Sequence, residues 1–221
     1  MTVLGVDGCP VGWVGVAWGE EVSTLVALDI EQLVLQAMRR FTIEVVAIDT
    51  PIALSSDGDR APEAHARRRL PGRASTVFSS PALSALRAET YDEANAANRA
   101  ALGKGLSRQA FGILPKIADV HDWLATGPDV PVIEVHPEVC FAAMNGTVVL
   151  QPKRTPAGAA IRRRLLQREG IVVPTSRVRG AAPDDVVDAA AAAWTARRFA
   201  DGMAERLPPE PRDQVAPAIW A

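Results

Sequence analysis

Residues 3–18 read VLGVDGCPVGWVGVAW, and this stretch indicates how the chain folds. Its first apolar run breaks at Asp7 and Gly8, and a second resumes at Trp13–Trp18, which is typical of two strands of a β-hairpin. Asp7 ends the first strand among apolar residues, where a buried carboxylate is costly unless a cation meets it. The stretch therefore predicts either a ligand site at this strand end or an ordinary turn in which Asp7 binds the amides of Gly8 and Cys9.

The segments after the hairpin predict a mixed sheet. Val22–Leu28 has the pattern of a third strand, and Asp29 can cap a helix from about Ile30 to Arg40. Residues 44–49 then form a continuous apolar strand that ends at Asp49. Because strand–helix–strand crossovers are right-handed, we expect this fourth strand to return parallel beside the first. Its terminal aspartate would then face the one that ends the first strand, at the edge where open sheets bind ligands.

Residues 55–127 lack strand patterns, and helical patterns occur near Tyr91–Leu102 and Ser107–Leu124. We predict a mainly helical, arginine-rich insertion within one domain that spans residues 1–221. The arginines either form a solvated helix face paired with nearby acids or bind phosphate, since guanidinium groups bind phosphate in a bidentate manner. A second basic stretch follows at residues 153–168. The candidate substrate-binding residues in the two stretches are Arg67, Arg73, Lys116, Lys153 and Arg162.

Acidic residues begin the last helix pattern, PDDVVDAAAAAWTARRFA at residues 183–200. Asp184 and Asp185 have a structural explanation, because the helix dipole favours acids in the first turn. Asp188 has no such explanation, and helical spacing places it on roughly the same face as the other two. No basic residue precedes Arg197 on this helix. Three repelling carboxylates therefore predict a bound divalent metal.

We predict that the aspartates of the two strand ends and of the last helix form one cluster. Glu134, which interrupts the apolar strand at residues 130–135, also belongs to it. Carboxylate oxygens are hard donors, which suit Mg²⁺ or Mn²⁺ better than zinc. Two such ions can activate a water molecule and stabilise the leaving oxygen of a phosphodiester. The predicted metal ligands are Asp7, Asp49, Asp185 and Asp188, and the predicted catalytic residues are these four and Glu134.

The motif Asp185-VV-Asp188-Ala189 is similar to that of the Holliday-junction resolvase branch of the RNase H-like fold. Nearly the whole chain resembles an uncharacterised family described as predicted RNase H-like nucleases. This resemblance implies a mixed five-stranded sheet, an antiparallel meander followed by parallel strands, flanked by helices. It also implies catalytic roles for the aspartates of the motifs. The motifs are GVDGCPVGWVGV (5–16), VVAIDTPIAL (45–54), ARRRLPGRASTVFSSP (66–81), SRQAFGILPKI (107–117), EVHPEVCF (134–141), residues 153–165 and DDVVDAAAAA (184–193).

The amino-acid composition limits which classes of protein the chain can belong to. The 221 residues are 48% hydrophobic, enough for a substantial core, and the net charge of −2 gives no bulk attraction to nucleic acid. Cys9 and Cys140 lack metal-ligand spacing. No apolar run reaches transmembrane length and no leader pattern precedes the first strand, so we expect a cytoplasmic protein without a membrane partner.

The expected function is divalent-metal-dependent phosphodiester hydrolysis of nucleic acid. One alternative is a non-catalytic module that binds nucleic acid or a phosphorylated ligand, with the acids serving mainly as helix caps. A second is an actin-like or sugar-kinase-like phosphotransferase, since those folds also begin with strand-Asp-Gly. That class needs a second phosphate-binding repeat and an adenosine-binding glycine motif, and the sequence contains neither.

Overall fold

A computed structural model describes residues 1–209 and 216–221. They form an α/β fold, in which a sheet of parallel and antiparallel strands is flanked by helices. The strands are β1 (Thr2–Cys9), β2 (Gly12–Trp18), β3 (Val22–Ala27), β4 (Ile43–Ile48), β5 (Val132–Val135), β6 (Arg206–Leu207) and β7 (Ile219–Trp220). Their order in the sheet is β3-β2-β1-β4-β5-β7-β6. The antiparallel meander β1–β3 and the parallel return of β4 beside β1 are confirmed.

The predicted count of five strands is wrong, because the described residues contain seven. β7 pairs parallel with β5, and β6 pairs antiparallel with β7, so the two extend the sheet beyond β5. Each is only two residues long. A segment this short cannot show the alternation by which a strand is recognised in a sequence.

Helices connect and cover the strands. Asp29 caps the first helix as predicted, because its carboxylate accepts a hydrogen bond from the Gln32 amide at 2.8 Å. The predicted helix at Ser107–Leu124 is divided at Ile113, where a new helix begins with Pro115 in its first turn. The helices are α1 (Ile30–Met38), α2 (Ala61–Arg69), α3 (Tyr91–Leu102), α4 (Arg108–Gly112), α5 (Leu114–Ala125), α6 (Pro137–Asn145), α7 (Pro156–Arg168) and α8 (Pro183–Ala200), with short 3-10 helices at Ala74–Thr76 and Leu83–Ala85.

Both faces of the sheet are covered. One face packs against α1 and α5, and the other packs against α6, α7 and the alanine-rich α8. α8 lies against β1 so closely that a Cβ atom on Gly5 would be 2.0 Å from the Ala193 nitrogen and 2.1 Å from the Ala189 oxygen. This backbone contact brings Asp188, near the start of α8, to the same end of β1 as Asp7. No helix in the described part of the chain is both long and apolar enough to cross a membrane.

Candidate functional site

Two aspartates occupy neighbouring positions at the carboxyl edge of the parallel strands. Asp7 lies near the end of β1, and Asp49 directly follows β4. Val6 and Ile48 are paired across the two strands, and the Asp49 amide donates a hydrogen bond to the Val6 carbonyl at 3.0 Å. Both aspartates line a cavity of about 700 Å³, together with Asp188 from α8. The fold thus brings together three acids that are far apart in the sequence.

Burial raises the pKa values of the three aspartates of this cavity, and neighbouring charges modify the increase. Burial raises the pKa of Asp7 well above its ordinary value, and the charges of Asp49 and Asp188 raise it further. Burial likewise raises the pKa of Asp49 and that of Asp188 to about 7, although Lys153 partly offsets both increases. Two or three ionised carboxylates here would leave a net negative charge even with this lysine present. A further cation is therefore electrostatically favoured in the cavity.

Lys153 supplies a positive charge that the sequence analysis did not assign to these acids. Its ammonium group donates a hydrogen bond to Asp188 and lies 3.9 Å from Asp184. Burial alone would lower the pKa of Lys153, but the carboxylates of Asp188, Asp7 and Asp49 raise it overall. The prediction that no basic residue lies near these acids was based on the sequence of α8 alone. The compensating charge comes from a loop about 30 residues earlier.

Asp185 also lines the cavity, but one of its oxygens acts as a helix cap. Its Oδ2 accepts a hydrogen bond from the Ala182 amide at 2.9 Å, as expected for an acid in the first helical turn. Burial raises the pKa of Asp185, and this hydrogen bond partly offsets the increase. Asp184 pairs with Arg154, whose Nε lies at 3.3 Å. These contacts bear out the structural explanation given for acids at this position.

Glu134 belongs to a buried ion pair that the sequence analysis missed. Its Oε2 accepts hydrogen bonds from Arg60 Nη2 at 2.7 Å and from the Ile52 amide at 3.0 Å. Burial raises the pKa of Glu134 to about 7, although Arg60 opposes that increase. Arg60 also donates to Ser80 Oγ at 3.0 Å, so it links the loop before α3 to Glu134 on β5. Glu134 is a single acid in an apolar strand, which indicates that it has a cationic partner. Nothing in the sequence distinguished Arg60 from the other arginines as that partner.

Arg162 needs correction as a candidate substrate-binding residue. It is completely buried, with 0% of its surface exposed, and its Nη2 donates to both Glu138 oxygens at 2.8 and 2.6 Å. A guanidinium group enclosed in this way cannot contact a substrate. Arg73 lies 3.3 Å from the same Glu138, but it lines the cavity. The signal for its burial was the helical spacing that places Arg162 on one face with Leu165 and Leu166, and the sequence analysis did not use it.

The other candidate substrate-binding residues differ in their access to the cavity. Lys116 lines it, bonds the Gly12 carbonyl and lies 4.9 Å from the centre of the Trp13 ring. Arg67 instead supports the loop at residues 75–81, through Val77 O at 3.1 Å and Ser79 Oγ at 2.9 Å. That loop, which contains the STVFSSP sequence, forms much of the cavity wall. Lining residues that the sequence analysis did not single out are Ser75, Thr76, Phe78, Ser79, Ser80, Gln109 and Ile113.

A protein-family model matches residues 5–213, and its description is "Protein of unknown function (DUF429)". The chain belongs to the DUF429 family. The matched range includes every acid of the cavity, and the expected membership of an uncharacterised family is confirmed. No curated protein and no solved structure matches the chain.

In this DUF429 member, the acids of the cavity are close without forming a ready-made metal cage. Within residues 1–209 and 216–221, no three His, Cys, Asp or Glu side chains are grouped as ligands of one ion. The ammonium of Lys153 lies against Asp188, and Asp185 is engaged as a cap. The site therefore combines hard oxygen donors and excess negative charge with an internal cation that is already bound.

Proposed function

We propose that the chain has an RNase H-like fold and hydrolyses phosphodiester bonds of nucleic acid with a divalent metal ion. The observation that carries the proposal is the convergence of Asp7, Asp49 and Asp188 from β1, the end of β4 and α8 in one cavity. Burial of like charges is unfavourable, and without a metal the three groups are accommodated by protonation and by Lys153. A bound divalent cation would allow all three to ionise together. Asp7 makes the predicted turn contact with the Gly8 amide, at 2.7 Å, and Asp188 accepts a hydrogen bond from Lys153. These contacts use one oxygen of each acid and leave the other without a hydrogen bond from the described residues.

The donor set suits the proposed ion. Asp7, Asp49 and Asp188 would hold Mg²⁺ or Mn²⁺ through carboxylate oxygens, which these ions prefer. Lys153 acts as a stand-in for that cation, because its ammonium already lies among the acids. Its side chain is 34% exposed and lies on a loop, so it can leave Asp188 when an ion binds. When bound, the ion would lower the pKa of a water molecule and stabilise the leaving oxygen.

The chain's own basic groups would orient the substrate. Lys116 is held by the Gly12 carbonyl and the Trp13 ring, which fixes its ammonium near Asp7. Arg73 lies on the cavity wall. Two fixed positive charges beside the carboxylates would bind phosphate oxygens and offset their repulsion from the acids. The catalytic work assigned to this chain is thus positioning and charge compensation.

Cleavage assays test the proposal directly. Labelled single-stranded, duplex and branched RNA and DNA are incubated with the protein in Mg²⁺, in Mn²⁺ and in chelator. Asp7→Asn should abolish metal-dependent cleavage while preserving the fold, because the amide is isosteric but a poor metal ligand. Asp129→Asn, at an exposed loop position, is the matched control. Equal cleavage by Asp7→Asn and the parent in Mn²⁺ would refute the assignment.

A second candidate, a non-catalytic binding module, is favoured by the Lys153–Asp188 bond and the cap made by Asp185. In that case the acids are balanced internally and need no metal. Calorimetric titration with Mn²⁺ separates the two candidates. The module predicts no heat of Mn²⁺ binding but retained affinity for oligonucleotides, whereas the nuclease predicts Mn²⁺ binding that Asp7→Asn weakens.

A further inference from the structure

The cavity that contains the carboxylates also has an apolar surface. Phe78 and Ile113 line it, with exposed fractions of 40% and 36%. They are the two large hydrophobic residues among its described lining residues that remain this exposed. The same cavity therefore offers charged groups and an open apolar surface. A ligand that uses both must itself combine a charged group with a flat or apolar one.

Phe78 is exposed although its neighbours are firmly held. Val77 is 4% exposed and packs in a hydrophobic cluster, and its carbonyl accepts a hydrogen bond from Arg67. On the other side, Ser79 Oγ accepts a hydrogen bond from the same arginine, and Ser80 lies in the buried network of Arg60. The loop is thus anchored before and after Phe78. A large apolar residue presented at a cavity by a supported loop is typical of a binding surface.

The size and chemistry of the cavity favour a nucleotide. A volume of about 700 Å³ is in the range of sites that enclose small ligands. A nucleotide combines an anionic phosphate with a planar aromatic base. The base can pack on an aromatic ring only when its face is free, and in a duplex both faces are covered by the neighbouring base pairs.

We propose, on the basis of the proposed nuclease function, that this cavity selects single-stranded nucleic acid. One unpaired base packs on Phe78 beside Ile113, and the adjoining phosphate lies near Lys116. The hydroxyl group of Ser75 on the same wall provides a sequence-independent contact to sugar or phosphate. Phe78 is therefore the residue that distinguishes unpaired from paired substrates.

Binding measurements test this inference without requiring turnover. Fluorescence anisotropy with a labelled oligonucleotide, alone and annealed to its complement, is measured in chelator so that no cleavage occurs. We expect tighter binding of the single strand, and Phe78→Ala should weaken it by about tenfold, the typical loss of one base–aromatic stack. Phe78→Tyr keeps an aromatic face and should bind within about twofold of the parent, since stacking is tolerant of ring substituents. Leu83→Ala removes a residue that is 41% exposed outside the cavity and is the matched control.

Equal affinity for single strand and duplex would overturn the inference. So would unchanged single-strand binding by Phe78→Ala, or a loss in Phe78→Tyr as large as in the alanine variant. A separate cleavage assay with Mn²⁺ distinguishes this failure from failure of the nuclease proposal. Selective binding without cleavage retains the inference and rejects the nuclease, whereas equal cleavage of both substrates by the parent and Phe78→Ala does the reverse.

Discussion

Asp49→Asn should stabilise the metal-free protein at alkaline pH, although Asp49 is a proposed metal ligand. Its carboxylate accepts no hydrogen bond from the described residues, and burial raises its pKa from 3.8 to about 7. The folded state therefore binds more protons than the unfolded state between about pH 4 and pH 7. Stability falls as the pH rises through this window, and the loss is complete above about pH 7.

The size of the effect follows from the two pKa values. A difference of about three pKa units corresponds to a penalty of up to about 4 kcal/mol for the ionised Asp49. Two effects make the gain from Asp49→Asn smaller than this penalty. The asparagine amide also loses water on burial, and water that reaches the cavity wall reduces the penalty for the ionised carboxylate. We therefore expect a gain of about 1–2 kcal/mol at pH 8, which corresponds to about 4 °C in melting temperature.

Urea and thermal unfolding in chelator at pH 8 and pH 4.5 measure this gain. The difference between Asp49→Asn and the parent should be large at pH 8 and small at pH 4.5, where the parent's carboxyl is protonated in the folded state. Asp129→Asn, at an exposed position, should show no pH-dependent difference. Saturating Mn²⁺ should reverse the order, because a bound ion stabilises the parent more strongly. A variant no more stable than the parent at pH 8, or equally stabilised at both pH values, would refute this account of the carboxylate.

Three further predictions concern packing and charge. Gly5→Ala should lower the free energy of unfolding in urea by at least about 2 kcal/mol, because its Cβ would overlap the backbone of α8. The control Gly112→Ala, which has open space at its Cβ, should be nearly neutral. Arg162→Met should cost about 3–5 kcal/mol because it leaves Glu138 buried without its main partner, and a loss below about 1 kcal/mol would show that the pair is dispensable. Lys153→Met should increase the affinity for Mn²⁺ in calorimetry, because the competing ammonium is removed; weaker binding would show that the lysine does not compete with the metal.

The parts of the fold that the sequence predicted depend on local patterns. The hairpin of β1 and β2 follows from two apolar runs separated by a break at Asp7 and Gly8, and the position of β4 follows from the crossover rule. These two features suffice to bring Asp7 and Asp49 to one edge. The expectation that α8 contributes Asp188 came from helical spacing, which places it on one face with two other acids and no basic residue before Arg197. The site was therefore predictable to the extent that it depends on strand ends and helix periodicity.

The parts that escaped prediction depend on contacts between distant segments. Lys153 meets Asp188 across 35 residues, and Arg60 meets Glu134 across 74. Arg162 shares the buried face of α7 with Leu165 and Leu166 at helical spacing, so periodicity separates it from Arg164. Its pairing with Glu138 is a tertiary contact that the spacing does not show. Charge pairing of this kind is set by the tertiary fold, because a long side chain can reach any of several acids. Spacing in the sequence gives no information about which acid it reaches.

The backbone contact between β1 and α8 also has a consequence for biosynthesis. Gly5 leaves the ribosome about 180 residues before residues 189–193, which cover it. One apolar face of the first strand therefore stays exposed until about 180 later residues have been synthesised. Chaperones can bind this face during that time. A nascent or truncated chain that ends before α8 lacks Asp188 as well as this cover. Such a fragment would be aggregation-prone and would lack one of the three aspartates of the cavity.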